Sequence, residues 1–346
     1  MNRRISALLL SSLAFLTPTA LGQLEKHQVY VAPEARNAAI QYWVASSYVT
    51  PEVVQLLRDL NWDKVGDSFD PSAMPPEFAA AAGADIESAR NQLLLATRMT
   101  RCNFECRWED GIGTLLPHLG KLRNGCRLLR LDARRAAMNG DIARAVEDLL
   151  AIRRIAVHTA MEPITISKLV ALAVDSTACD ETISLAKSGK LTAAQRDKLL
   201  ADIASTPTDD LFKMSEVFMS ERSWALSLIG NDKPSAAKLK ANLAALGDFG
   251  DQTQDNLDKL KALSDEDLLV EAQSLSAVYD AVERAWRQPD ARAALSAIGD
   301  EISAGKHGVL APALAPAFAK MRSSYDNSLA KLAEASAALK SATLAK

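Results

Sequence analysis

This 346-residue sequence predicts an all-α fold of antiparallel helical hairpins or a bundle, with an Ala-rich helical part at the C-terminus. From Pro33 onward, apolar residues recur at helical spacing nearly everywhere, and alternating β-branched runs of useful length are missing. Capping residues and prolines punctuate the pattern and most loops are short, so neighbouring helices should run antiparallel. With 48% hydrophobic residues, the chain can build one large core or two modest ones. A solenoid-like stack is the alternative arrangement, although no 34-residue recurrence runs along the chain.

The N-terminus reads as an address. Arg3 and Arg4 precede an apolar stretch from Ile5 to Leu16, and Ala20-Leu21-Gly22 supplies the small residues a signal peptidase reads. Residues 1–22 are therefore expected to be a cleaved signal peptide. The alternative, an uncleaved anchor, needs about 20 apolar residues, and Pro18 interrupts this stretch early. No later stretch is long and apolar enough to span a bilayer, so an exported protein of the periplasm or extracellular space, without a transmembrane segment, is expected.

Helices are expected at Glu34 to Tyr48, Pro51 to Leu60, Pro75 to Ala82, Asp85 to Arg101, Thr114 to Asn139, Asp141 to Met161, Pro163 to Ser188 and Thr192 to Ser205. They continue at Asp209 to Ile229, Pro234 to Leu246, Gln252 to Leu263, Asp265 to Gln288, Pro289 to Ala304 and from Pro312 onward. Thr50-Pro51, Thr192 and Ser264-Asp265 offer caps or first-turn residues suited to helix starts. Leu115, Leu119, Leu122, Cys126, Leu129, Ala133 and Ala136 form a heptad seam, and Gly140-Asp141 turns the chain into a helix with Ile142, Val146, Leu149, Ile152 and Ala156 on one face. The run from Ile164 to Val174 is apolar on all sides except for Lys168, which places the third helix centrally. Composition shifts near Ser205, dividing a helical core domain (23–204) from the Ala-rich region (205–346).

Composition excludes more function than it assigns. A formal charge of -3 argues against a nucleic-acid partner, and four Cys and four His are too few for a disulfide scaffold or a metal-dedicated chain. No GxSxG elbow, phosphate-binding glycine loop, HExxH or paired Cys-x-x-Cys occurs, so no cofactor or metal is implied by motif. The five Trp are scattered, which suits core packing better than carbohydrate stacking.

Arg123, Arg127, Arg130 and Arg134 repeat every three or four residues, and they are candidates for an acidic protein or polysaccharide partner; the alternative is a solvated flank. The helical hairpin brings His118 and His158 to the same end, as a candidate polar site for a metal or proton transfer; a structural role for both, hydrogen-bonded near a helix end, is the alternative. Asp175, Asp180 and Glu181 are candidate carboxylates beside the central helix, where emergence into solvent is the alternative. With three helices running up, down and up, Cys126 and Cys179 differ in height by only about 6 Å at 1.5 Å per residue. A Cys126 to Cys179 disulfide is therefore expected, leaving Cys102 to pair with Cys106; four reduced thiols are the alternative.

The segments DGIGTLLPHLGKLR from Asp110, RLLRLDARRAAMNGDIARAVEDLLAIRRIAVH from Arg127 and PITISKLVALAV from Pro163 resemble uncharacterised exported all-helical proteins of planctomycete-type bacteria. NAAIQYW from Asn37, Ser220-Glu221-Arg222 and VLAPALAPAF from Val309 are similar to further parts of that pattern, so the resemblance covers most of the chain after the leader. Cys106-Arg107-Trp108 departs from it, standing where Cys and Trp would be closer together. The resemblance implies export and an all-α fold and carries no activity. A non-enzymatic scaffold or binding module of the cell envelope is thus expected, with an enzyme using His118, His158 and nearby carboxylates as the alternative.

Overall fold

The computed structural model describes residues 36–60, 84–230, 233–246, 254–315 and 317–345. The expected signal peptide and the expected helix Pro75 to Ala82 lie outside them. Among the described residues the fold is all-α: no strand forms, and a single isolated bridge joins Asn37 to Arg101. None of the described helices is long and apolar enough to cross a membrane.

Local chemistry sets the first elements. Asn37 caps α1 (Ala38–Ser47) by accepting from Ala39 N, and Thr50 with Pro51 at the first helical position starts α2 (Pro51–Asp59). Helix α3 (Ala84–Thr97) packs on α1. A 3-10 turn at Trp108–Gly113 then leads into α4 (Pro117–Met138), α5 (Ile142–Thr159) and α6 (Thr165–Lys187). Between α4 and α5, Gly140 takes φ +83°, which glycine adopts without a Cβ penalty, and Asp141 accepts from Arg144 N.

The α4 seam is buried at Leu119, Leu122, Cys126, Leu129, Ala133 and Ala136, and every expected apolar position of α5 is buried too. Leu115 is the exception at 82% exposed, because α4 begins only at Pro117 and leaves it outside the helical register. Each fully buried Leu contributes about 1.5–3 kcal/mol relative to exposure, so these two seams supply much of the drive to close the hairpin.

The C-terminal elements begin with α7 (Ala193–Ala204), whose Thr192 and Gln195 form a capping box. After a 3-10 segment at Leu211–Glu216 come α8 (Val217–Leu226), α9 (Ala236–Leu246), α10 (Gln254–Ala262), α11 (Asp265–Trp286), α12 (Ala291–Ser303), α13 (Leu310–Leu314) and α14 (Phe318–Lys340). Helix α14 lies along α6, burying Leu332, Ala335 and Leu339 in the core that also holds α4 and α5. Contact on both flanks, from α5 and α14, explains why α6 is apolar nearly all round. A smaller apolar cluster joins Leu228, Leu239, Leu260, Leu268 and Leu310.

Two expected helices are broken. The span from Asp209 to Ile229 is interrupted where Phe212 and Lys213 take φ +56° and +54°, a region costly for non-glycine residues. Tertiary bonds hold them there: Lys168 Nζ donates to Phe212 O at 2.7 Å, and Leu211 N donates to Tyr325 Oη at 3.1 Å. The final helix is divided at Ala315, which is extended because it precedes a proline.

The expected disulfides do not form; Cys102, Cys106, Cys126 and Cys179 are all free thiols. Height along the helices was an incomplete criterion. Cys126 faces Thr177 and Glu181 on α6, whereas Cys179 faces Arg153 of α5. Two residues on an α-helix separate faces by about 200°, so Cys179 points away from Cys126. Cys106 meanwhile turns toward His118 rather than Cys102.

Candidate functional site

Helix α4 starts, α5 ends and α6 starts at one end of the hairpin, so His118 in the first turn of α4 and His158 in the last turn of α5 come to the same end. Both are 1% exposed. They are linked through a row of rings: Phe104 stacks on His118 at 4.2 Å, Tyr42 lies 6.3 Å from Phe104, and Tyr42 lies edge-on to His158 at 5.8 Å.

The roles of the two histidines diverge. His158 Nε2 faces Met99 O at 2.9 Å and must carry the proton, because a carbonyl only accepts; Nδ1 therefore accepts from Tyr42 Oη at 2.8 Å. Burial, with Arg154 nearby, pushes His158 down to about 4, so it is a neutral structural side chain. His118 lies instead against Cys106 and Glu162, with Nδ1 3.9 Å from Cys106 Sγ and Nε2 2.8 Å from Glu162 Oε1. That last pair is close enough for an ion pair, yet Nε2 has no partner in hydrogen-bond alignment. Cys106 Sγ lies 3.6 Å from Glu162 Oε1, and Ser167 Oγ donates to Glu162 Oε2 at 2.5 Å. Burial and the Glu162 carboxylate push the Cys106 thiol up to about 11.

Across the Ala160 to Ile164 turn, a cleft of about 760 Å³ opens between α5, α6 and the 205–217 segment. Val157, Met161 and Phe212 give it an apolar wall; Asp209, Asp210 and Glu216 line it with carboxylates. Arg153 is held at its edge by Asp175 at 2.9 Å, by Asp202 and by Thr206 at 2.6 Å. Lys168 is buried and donates to Ala160 O and Phe212 O, and burial lowers its ammonium to about 8. Burial likewise raises Asp175 to about 6 despite its Arg153 partner. Neither His118 nor His158 lines this cleft.

The other sequence candidates are dispersed. Glu181 is buried and accepts from both Arg130 (2.5 Å) and Arg134 (2.6 Å), while Asp180 pairs with Lys331 at 2.6 Å. The arginine stripe is therefore not a continuous surface: Arg134 is buried, Arg127 bonds to Asn124, and Arg123 alone of the four is exposed. A second buried charge group, unforeseen in the sequence, joins Asp132 and Asp148 to Arg90, with Arg144 on Asp132.

Sequence reasoning placed His118 but paired it with His158, and it missed Cys106 and Glu162 as its neighbours. A usable signal was present: Leu116-Pro117-His118 and Glu162-Pro163 both mark helix ends at one level of the hairpin. Comparison with family models, curated proteins and solved structures finds no match in any of the three.

Proposed function

We propose that this chain is an exported binding protein, a helical scaffold of the cell envelope whose cleft takes a small amine-bearing ligand such as a short peptide. The observation that supports this most is the cleft itself. Its volume of about 760 Å³ falls in the range of small-molecule sites, and an apolar wall with a few convergent charged groups is the usual composition of such sites. Arg153 and Lys168 spend their donors on protein acceptors, Arg154 donates to Met99 O and Lys213 pairs with Glu216 at 3.1 Å, so the carboxylate left facing a ligand is that of Asp209, beside Met161, Val157 and Phe212. An apolar side chain with a nearby ammonium group is the complement of that surface.

A panel of di- and tripeptides with free amino termini, compared with their N-acetylated forms by titration calorimetry, tests this. Binding should be seen with the free amines, weaken at least about tenfold on acetylation through loss of a charge-assisted bond, and fall in both Asp209→Asn and Met161→Asp. Equal binding of acetylated and free peptides, or no binding across the panel, would overturn it.

A second reading rests on Asp175, a carboxylate that lines the cleft and that burial raises to about 6, suited to proton transfer near neutrality. Peptide turnover lost in Asp175→Asn would favour it over simple binding.

A further inference from the structure

We propose that Cys106, His118 and Glu162 form a site for a borderline divalent transition-metal ion, with Zn2+ the best match to the donors. Thiolate, imidazole and carboxylate are the three zinc ligand types, and one ligand atom from each of these residues lies within 4.8 Å of the others. A tetrahedral ion with metal–sulfur and metal–nitrogen or –oxygen bonds of ordinary length sets ligand spacings of roughly 3.5 Å from sulfur and roughly 3.3 Å between the lighter atoms. The observed separations are 3.9 Å (Sγ to Nδ1), 3.6 Å (Sγ to Oε1) and 2.8 Å (Nε2 to Oε1). One imidazole nitrogen serves as the ligand: with Nε2, which already meets Oε1, the carboxylate moves out by about half an ångström and the ring turns to bring Nε2 toward Sγ.

The arrangement is a triangle rather than a line. In a nucleophile, base and acid relay, the carboxylate holds the imidazole nitrogen remote from the nucleophile. Here Glu162 Oε1 also meets the nitrogen remote from the thiol, but the same oxygen lies 3.6 Å from Sγ, closer than the thiol is to the ring, so the three groups close on one another.

The buried Nε2 of His118 supplies a second, independent observation. It lies against a carboxylate oxygen with no hydrogen bond aligned between them, a buried polar contact that a cation bound between the two would satisfy. The surroundings hold the donors in place. Ser167 fixes the far oxygen of Glu162, and Phe104 covers the face of the His118 ring. Glu105, at φ +54°, turns Cys106 inward, while Asn103 is pinned to the Asn37 side chain through both its N–H (2.9 Å) and its carbonyl (2.7 Å). Non-glycine backbone in that region is strained and persists where surrounding bonds enforce it. Cys106 is only half-buried, so a fourth coordination position opens toward solvent, as in zinc sites that bind a water or a substrate. The site stands on residues outside the peptide cleft and does not depend on what that cleft binds.

The test loads the purified full chain with Co2+ as a spectroscopic stand-in and with Zn2+ for stoichiometry by elemental analysis after gel filtration. About one equivalent of zinc should be retained, and the cobalt form should show a thiolate-to-metal charge-transfer band. Cys106→Ser should abolish the band while Cys102→Ser keeps it, and Glu162→Gln should release the zinc. Ser167→Ala should weaken retention by about tenfold, the effect expected of a lost outer-shell bond. In the unmodified protein, Zn2+ should also protect Cys106 from alkylation, a readout that needs no variant to fold. Failure to retain zinc, a charge-transfer band that survives Cys106→Ser, or a Cys102–Cys106 bridge in the isolated protein would each overturn the site.

Discussion

Asp132 and Asp148 sit side by side in the core yet should respond in opposite ways to the same substitution. Asp148 is completely buried; desolvation first, then the neighbouring Asp132 carboxylate, push it up to about 9. Asp132 is held below the ordinary carboxylate range: burial works against its charge, but Arg144 grips it at 2.6 and 3.0 Å and Arg90 lies 3.1 Å away. The single proton of the pair therefore belongs on Asp148, whose Oδ2 has no donor directed at it and can donate to Asp132. In the unfolded chain Asp148 ionises near 3.8, so folding at pH 7 must take up a proton at a cost of about 4 kcal/mol. The folded state binds more protons than the unfolded one, so this group's contribution to stability falls as pH rises from about 4 to 9.

Asp148→Asn keeps a donor toward Asp132 and an acceptor for Arg90 without the proton uptake. Its stability relative to wild type should grow by about 1.4 kcal/mol per pH unit, or about 4 kcal/mol between pH 5 and 8. Asp132→Asn leaves Arg90 and Arg144 without their buried anion and should cost about 3–5 kcal/mol at neutral pH. Urea titrations of both variants at pH 5 and 8 decide. A pH-independent difference for Asp148→Asn, or equal losses for the two, would refute the assignment of the proton.

Other outcomes follow from the same geometry. His158 titrates lower folded than unfolded, so its stabilisation is complete above pH 6.5 and is lost as pH falls toward 4; His158→Gln should erase up to about 3 kcal/mol of that acid sensitivity in denaturation curves. Arg134→Gln removes one of the two guanidinium groups on buried Glu181, leaving Arg130, and should cost about 1.5–3 kcal/mol, whereas exposed Arg123→Gln should stay within about 0.5 kcal/mol; comparable midpoints would contradict the split of the stripe. Gly308→Ala would place a Cβ 2.3 Å from the Glu271 carboxylate that accepts from Val309 N and Leu310 N, at φ +78°. It should therefore lower the melting temperature well beyond Gly140→Ala, which has open space at φ +83° and should cost about 1 kcal/mol.

Legibility followed the range of the interaction. The α4 and α5 seams were readable because each is written within one helix, and the Thr192 and Ser264 caps were readable because each spans three residues. The shared end of His118 and His158 followed from counting residues up and down a hairpin. Interactions that depend on rotation about a helix axis, or on a distant segment, left no local trace. Cys179 had the correct height but the wrong face, and Phe212 is turned by Lys168, 44 positions away. The packing of α14 on α6 uses Ala and Ser, including Ser176 against Ser328 at 3.2 Å, which give little hydrophobic signal in the sequence. Glu162 is 56 positions from Cys106, and nothing in either neighbourhood announces the other.

The crowding of ionisable groups at the α4, α5 and α6 ends has a physical cause, and that cause separates structural charges from the remaining ones. Helix ends leave carbonyls and N–H groups without intrahelical partners. Here Lys168 reaches the Ala160 carbonyl at the end of α5, and Glu221 of α8 accepts from Thr165 N at the start of α6 at 2.5 Å. Each sign matches the helix dipole it meets. Both side chains are buried, and both have the perturbed ionisation that would mark an active site; in each case burial is the largest cause and a helix terminus is the partner. Lys168 also ties down the strained Phe212 carbonyl, so one ammonium closes α5 and fixes the cleft wall. Cys106, His118 and Glu162 cap no helix in this way. Ser167, Phe104 and the pinned Asn103 loop constrain them toward one another, with the Nε2 of His118 left unsatisfied. Donors held at that spacing with a buried polar atom unpaired cost stability unless something binds between them, and that cost is the reason to look for a metal ion there rather than at the more conspicuous buried lysine.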